Sequence, residues 1–311
     1  MSNTSSSEIS SSNTLAVCAN CGKEGSEVSN TCNKCKMVMY CNAACKKKHR
    51  HKHKKACERR VAEIHDEMLF KQPPPDEDCP ICMIRLPTLS GTGQTYMMCC
   101  GKVICSGCVH AFRSRVTKKE HDVCPFCRSP MPTSVEGVLK RLKKRIDLND
   151  SKATNNMGCH YAEGKLGLPQ NRAKALDLWH RAGELGSAGA YFAIGNVYKF
   201  GDGVEVDEKK AIHYWELAAM GGHRKARHNL GVTEWKAGNR DRALKHWMIA
   251  VKYGNNESLK TIQRIYLNKE TTKDEYAKAL RLYQAYLDEI KSDQRDEAAV
   301  SKGHKYYESA F

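Results

Sequence analysis

Residues 190–215, AYFAIGNVYKFGDGVEVDEKKAIHYW, decide the fold of the larger part of the chain because their pattern recurs. Each copy carries a basic residue followed by alanine, and an aromatic residue follows four positions after that alanine. The pairs are Lys174-Ala175, Lys210-Ala211, Arg242-Ala243 and Lys278-Ala279. They lie 36, 32 and 36 residues apart, a period typical of paired helices that stack into a solenoid. We therefore predict about four helix pairs over residues 149–290.

Glycines and tryptophans recur in the same frame. They are Gly158 with Trp179, Gly195 with Trp215, and Gly231 with Trp247. The pattern resembles Sel-1-like repeats, which are relatives of tetratricopeptide repeats. The resemblance implies an all-α solenoid that offers a surface to a protein substrate or adaptor, with these tryptophans filling the space between helices.

Two flanking segments complete this half of the chain. Residues 129–148 place Val135, Val138, Leu139, Leu142 and Ile146 on one helical stripe, so we predict a linker and an amphipathic helix that caps the first repeat. Residues 291–311 read as a polar tail that frays.

The cysteines are distributed unevenly, since 15 of the 16 precede residue 128. Residues 1–17 are serine-rich and read as a disordered N-terminus without a secretory signal. No apolar run is long enough for a membrane span. We therefore expect a cytoplasmic or nuclear protein, where thiols stay reduced and Cys-x2-Cys pairs are metal ligands rather than disulfides.

Residues 18–57 contain eight potential ligands in four pairs, enough for two tetrahedral zinc sites. Their order and spacing resemble a MYND zinc finger. The resemblance assigns Cys18, Cys21, Cys41 and Cys45 to one zinc ion and Cys32, Cys35, His53 and Cys57 to the other. The family often has tryptophan three residues before the histidine ligand, whereas this chain has Arg50, which puts binding of proline-containing peptides in doubt.

A second cysteine-rich segment, residues 79–128, follows a predicted linker over residues 58–78. Its pattern CPIC, CGKVICSGC and CPFCR resembles a RING finger in which Lys102 stands where histidine is common. As in all-cysteine variants, Cys99 and Cys100 could both join Cys124 and Cys127, with Cys79, Cys82, Cys105 and Cys108 forming the other site. Alternatively, one of the adjacent cysteines is a spectator. The fold class expected is thus mixed, with two small zinc-stabilised cross-brace modules before the solenoid and four zinc ions in all.

The RING resemblance implies an E3 ubiquitin ligase without a covalent intermediate, which orients a charged ubiquitin-conjugating enzyme for attack by an amine. Four positions match the surface that such ligases use to contact the conjugating enzyme and ubiquitin. They are Ile81, Phe112, Pro125 and Arg128.

Two other functions remain open. The zinc fingers and repeats could form a non-catalytic protein-interaction scaffold. Alternatively, the basic run Lys46 to Lys55 could contact nucleic acid, although it could equally be a solvated helix face. The formal charge of +16 favours nucleic acid, but fifteen thiolates around four divalent ions would lower it by seven, to about +9.

Overall fold

The computed structural model describes residues 16–87, 93–116 and 122–301. Most of the predicted N-terminal disorder and residues 302–311 of the predicted tail lie outside these ranges. The chain separates into two compact units, residues 1–69 and 70–311. The second cysteine-rich segment therefore shares a unit with the helical repeats, whereas the sequence predicted a separate module.

The first unit consists of a short hairpin and one long helix. Strands β1 (Asn30–Thr31) and β2 (Met39–Tyr40) pair antiparallel. Helix α1 (Ala43–Leu69) then runs through twelve residues that the sequence interpretation assigned to a linker. This stretch lacks glycine and proline, and Arg60 pairs with two glutamates on the same helix, which explains why it stays helical.

The second unit begins with a cysteine-rich hairpin and a helix. Strands β3 (Gln94–Met97) and β4 (Lys102–Cys105) are antiparallel, and α2 (Ser106–Arg115) follows at once. Gly101, in the turn between the strands, has φ of 73°. An added Cβ there would lie 2.0 Å from Nη2 of Arg145, so both the backbone conformation and the close approach require glycine.

Helix α3 (Val135–Asp147) packs on the first repeat helix, as the sequence predicted. Ser134 caps it by accepting a hydrogen bond from the backbone N–H of Gly137 at 3.1 Å. Leu142 and Ile146 are buried, but Val135 is 50% exposed. The apolar stripe therefore packs only from Val138 onward.

Eight helices form the four predicted pairs. They are α4 (Ser151–Glu163), α5 (Arg172–Glu184), α6 (Ala188–Phe200), α7 (Glu208–Met220), α8 (Arg224–Lys236), α9 (Arg240–Lys252), α10 (Asn256–Leu267) and α11 (Lys273–Ile290). The three tryptophans are buried between paired helices. Each lies against the glycine of its own copy: an added Cβ on Gly195 would lie 2.4 Å from Trp215 and one on Gly231 2.4 Å from Trp247.

The predicted polar tail contains a further helix, α12 (Asp293–Ser301), which packs against α2. Arg295 and Ala298 are buried on its inner face. The prediction of a fraying tail was therefore wrong for this segment. Its polar composition suggested solvent exposure, but Arg295 is buried and donates to the loop that carries Cys82.

Candidate metal centres

The first ligand group of the N-terminal unit contains Cys18, Cys21, Cys41 and Cys45, whose Sγ atoms lie within 4.8 Å of one another. The Cys21 to Cys41 and Cys41 to Cys45 sulfur distances are 3.7 and 3.6 Å. Hydrogen bonding from the Cys21 backbone lowers the pKa of Cys18 to about 6. A thiol with that pKa is largely thiolate at neutral pH, the form that binds a metal.

The second group contains Cys32, Cys35, His53 and Cys57, all of them buried. His53 and Cys57 lie four residues apart on α1 and so share one face of the helix. The Cys35 Sγ to His53 Nε2 distance is 3.2 Å, and the Cys32 to Cys57 sulfur distance is 3.7 Å. His49, within the basic run Lys46 to Lys55, is half-buried, and its Nδ1 atom lies 3.2 Å from the Tyr40 hydroxyl at hydrogen-bonding distance.

The third group contains Cys79, Cys82, Cys105 and Cys108. The Cys79 to Cys108 and Cys82 to Cys105 sulfur distances are both 3.8 Å. The backbone N–H of Cys105 donates to Cys79 Sγ, and the backbone N–H of Cys108 donates to Cys105 Sγ, each at 3.4 Å. Hydrogen bonding, first from the Cys105 side chain and then from backbone N–H groups, lowers the pKa of Cys79 to about 4.

The fourth group answers the question of the adjacent cysteines. Cys99 and Cys100 lie in the turn between β3 and β4, and both join Cys124 and Cys127 within 4.8 Å. The Cys99 to Cys127 sulfur distance is 3.4 Å. Lys102 is exposed on β4 and contributes no atom to the group.

All four groups fit a tetrahedral zinc ion. Zinc–sulfur bonds of about 2.3 Å place two ligand sulfurs roughly 3.8 Å apart, close to the distances measured here. Each group offers four ligand atoms, so a bound ion would have no open coordination position. Such closed sites stabilise a fold and supply no metal-bound water for hydrolysis.

The four residues predicted to contact a conjugating enzyme lie beside these centres, and none of them is fully buried. Ile81, between the first two cysteines of the third group, is 42% exposed. The Arg128 guanidinium lies over the Phe112 ring, 4.6 Å from its centroid. Arg128 has φ of 59° because it closes the turn after Cys124, whose carbonyl accepts its backbone N–H at 2.9 Å. Phe112 and Pro125 are both half-buried.

Arg295 is a residue near the third group that the sequence did not reveal. It is 1% exposed, and its guanidinium donates to the carbonyls of Arg85 (2.8 Å), Ile290 (2.8 Å) and Ile84 (3.1 Å). It also donates to Cys82 Sγ at 3.8 Å. The guanidinium therefore ties α12 to the loop that carries the first two cysteines, beside thiolates whose negative charge it offsets.

A second polar junction joins the hairpin to the repeats. Asp150 accepts from the Tyr96 hydroxyl at 2.8 Å and from Arg145 Nη2 at 2.6 Å through Oδ2. Its Oδ1 caps α4 by accepting backbone N–H groups of Lys152 and Ala153. Although burial opposes ionisation, these hydrogen bonds lower the pKa of Asp150.

Comparison with protein families bears on two of the three modules. Residues 18–57 match the MYND finger, and residues 151–187 and 188–223 match the Sel1 repeat. The chain thus contains a MYND zinc finger and Sel1 repeats, as the two resemblances predicted. The cysteine-rich groups are compatible with zinc, and the repeats have a protein-interaction fold. Within the described ranges, no helix has the length and apolar character needed to cross a bilayer.

Two of the solved structures that resemble the chain are repeat proteins. A Sel1 repeat protein from Oxalobacter formigenes is 28% identical over 50% of this chain and 64% of its own, with a TM-score of 0.43. The protein c5321, a protective antigen present in uropathogenic Escherichia coli strains and displaying an SLR fold, is 18% identical over 57% of this chain and 43% of its own, with a TM-score of 0.45. The chain thus spans less than two thirds of either protein. No curated protein matches it.

Proposed function

We propose that the chain is a zinc-stabilised ubiquitin ligase of the RING type whose helical repeats recruit protein substrates. The observation that carries the proposal is that Ile81 and Arg128 are exposed beside two four-cysteine groups, with the half-buried Phe112 ring under the Arg128 guanidinium. The proposal includes four zinc ions and a reducing compartment, the cytosol or nucleus.

The order of the ligands supports a RING-like module. The third group combines Cys79 and Cys82 with Cys105 and Cys108, while the fourth combines the intervening Cys99-Cys100 pair with Cys124 and Cys127. Successive pairs therefore alternate between two centres, which is the cross-brace of a RING finger. Two zinc ions would hold together a segment whose apolar core is small.

The chemistry that this module would perform is orientation. Ile81 and the Phe112 ring would pack into the conjugating enzyme, with Pro125 forming a rigid edge. The guanidinium of Arg128, already held over Phe112, would donate to carbonyls of the conjugating enzyme and of ubiquitin. Restricting the thioester to a conformation ready for attack accelerates aminolysis without a nucleophile from this chain.

A non-catalytic scaffold is the second candidate, and the buried contacts of the module favour it. Arg295 and Asp150 fasten the cysteine-rich hairpin to the helices of the same unit. A module that only forms the end of the solenoid would need these buried contacts but would not need Ile81 to be exposed.

Discharge of ubiquitin from a panel of charged conjugating enzymes onto free lysine tests the proposal. We expect stimulation by the wild-type protein and at least a tenfold loss in Ile81→Ala and Arg128→Ala, with zinc content unchanged. Leu267→Ala and Arg264→Ala, which truncate an exposed aliphatic and an exposed arginine on α10, are matched controls and should retain full stimulation. No stimulation across the panel from protein holding four zinc ions would favour the scaffold.

A further inference from the structure

A short segment without regular secondary structure, Phe70 to Asp76, lies against the repeats. It leads from the end of α1 to the first cysteine of the third group and reads FKQPPPD. Three of its side chains, Phe70, Gln72 and Pro73, contact the repeats. It is therefore bound like a peptide ligand rather than simply spanning a gap.

Phe70 is the aromatic contact of this segment. Its ring centroid lies 4.7 Å from that of His246 on α9. Two cations flank the same ring, with Arg242 Cζ 5.2 Å and Lys245 Nζ 5.8 Å from its centroid. An aromatic ring between an imidazole and two cations gains both burial and cation–π attraction.

Gln72 and Pro73 are the next contacts. The Gln72 Oε1 atom accepts hydrogen bonds from Lys252 Nζ at 3.0 Å and from the Tyr253 hydroxyl at 3.3 Å. Pro73 is buried in the turn before α8, where an added Cβ on Gly222 would lie 3.7 Å from Pro73 Cβ. The contacts thus select, in order, an aromatic residue, any residue, a hydrogen-bond acceptor and a proline.

The chain's own segment fits the groove formed by α9 and the turn before α8 imperfectly at one contact, that of Gln72. Lys252 and Tyr253 converge on a neutral amide oxygen, although a carboxylate would make a stronger, charge-assisted bond with the ammonium. A glutamate in place of Gln72 would therefore bind better than the residue present.

We propose that α9 and the turn before α8 form a docking groove for partner proteins that present an aromatic–x–Glu–Pro segment, and that residues 70–73 occupy this groove in cis until such a segment displaces them. The inference rests on the protein-recruiting role proposed for the repeats but not on contact with a conjugating enzyme. It identifies the partner by chemistry, as an acidic, proline-containing peptide with an aromatic residue two positions before the carboxylate.

Competition with the attached segment sets the affinity to expect. A groove that is free for only a tenth of the time binds a peptide tenfold more weakly than an empty groove. A tethered competitor acts at an effective concentration of about 1 mM when its linker is short. Weakening the attachment of the segment should therefore strengthen peptide binding in trans by about tenfold.

Fluorescence anisotropy with labelled FKEPPPD and FKQPPPD peptides and the full chain tests this. We expect Phe70→Ala to bind FKEPPPD about tenfold more tightly than the wild type, because the cis competitor is weakened while the groove is intact. Adding Lys252→Met to Phe70→Ala should abolish the preference for the glutamate peptide. Adding Lys236→Met instead, which removes an exposed lysine on α8, should leave the preference unchanged.

Three results would overturn the inference. They are equal peptide affinity in wild type and Phe70→Ala, no binding to Phe70→Ala at about 1 mM peptide, or a glutamate preference that survives Lys252→Met. Circular dichroism of every variant verifies that the fold is retained, and Gln72→Gly provides a second weakened segment should Phe70→Ala lose helicity. Peptide binding together with absent ubiquitin discharge would refute the ligase and leave this groove standing, so the two failures are distinguishable.

Discussion

Replacing Arg295 with alanine removes its contact with Cys82 of the third ligand group, while Gln294 on the same helix still contacts Cys108. Four hydrogen bonds disappear, and three of them leave the backbone carbonyls of Ile84, Arg85 and Ile290 without this charged donor. Because Arg295 is 1% exposed, solvent neither screens these hydrogen bonds nor readily replaces them. Removing one partner of a buried charged network costs about 3–5 kcal/mol, and we take that range for Arg295→Ala.

Thermal unfolding and zinc release measure this effect together. For a unit of this size about 1 kcal/mol corresponds to roughly 2–4 °C, so the expected fall in Tm is on the order of 10 °C. Chelator-driven release of zinc, followed with a colorimetric dye, should become faster for one ion in four. Because Cys82 Sγ loses a donor, we expect that ion to be the one in the third group.

Two variants separate the charge of Arg295 from its shape. Arg295→Lys keeps the charge but cannot fork to three carbonyls, so it should recover only part of the lost stability. Arg281→Ala, an exposed arginine on α11, is the matched control and should change stability by less than about 0.5 kcal/mol. Unfolding of Arg295→Ala at the same temperature as the control, with zinc release at the wild-type rate, would refute this role of Arg295.

Three further predictions concern the repeats and the basic helix. Gly195→Ala should destabilise the protein by about 1–3 kcal/mol in denaturant titrations because its Cβ would lie 2.4 Å from Trp215. The control Gly189→Ala, on the same helix, meets no atom closer than 3.8 Å and should be neutral or stabilising, so equal effects of the two variants would contradict this packing. Burial lowers the pKa of His223 to about 3, so its contribution to stability is complete above about pH 6.5 and is lost as the pH falls toward 3. His223→Asn, which can still cap α8, should flatten the dependence of Tm on pH between 7 and 5, and an unchanged slope would reject this role of His223. If the basic run of α1 only forms a solvated surface, binding to DNA and RNA should be undetectable at physiological salt, whereas measurable binding that falls steeply with salt would support the nucleic-acid hypothesis.

The sequence predicted the features that depend on particular residues at a fixed spacing. Ligands must occur as close pairs, so their spacing is visible in the chain, and the structure brings together the same four groups that the sequence proposed. The adjacent Cys99 and Cys100 were the open case, because only the turn between β3 and β4 determines whether both can face one centre. The first three helix pairs were predictable because a glycine and a tryptophan recur where the two helices of each pair approach closely.

The contacts between distant segments were not predictable in the same way. Arg295 bonds to Arg85, 210 residues away, and Gln72 bonds to Lys252, 180 residues away, so neither pair has a local signal. Both lie in stretches whose composition indicates a tail or a linker. Polar residues in such stretches are usually solvated, and only the three-dimensional packing shows which of them are bound.

The third repeat shows why the copies drift in sequence while the fold persists. In the first two copies a lysine at the start of the second helix lies over a tyrosine of the first helix, and in the third copy an arginine and a glutamate occupy these positions. The pairs are Lys174 with Tyr161 (4.3 Å), Lys210 with Tyr198 (4.9 Å) and Arg242 with Glu234 (2.8 Å). Cation–π attraction and an ion pair are interchangeable here because both place a cation against a partner on the neighbouring helix. The guanidinium of Arg242 also lies 5.2 Å from the centroid of the Phe70 ring, so the arginine of the third copy contacts both the neighbouring helix and the segment Phe70 to Asp76.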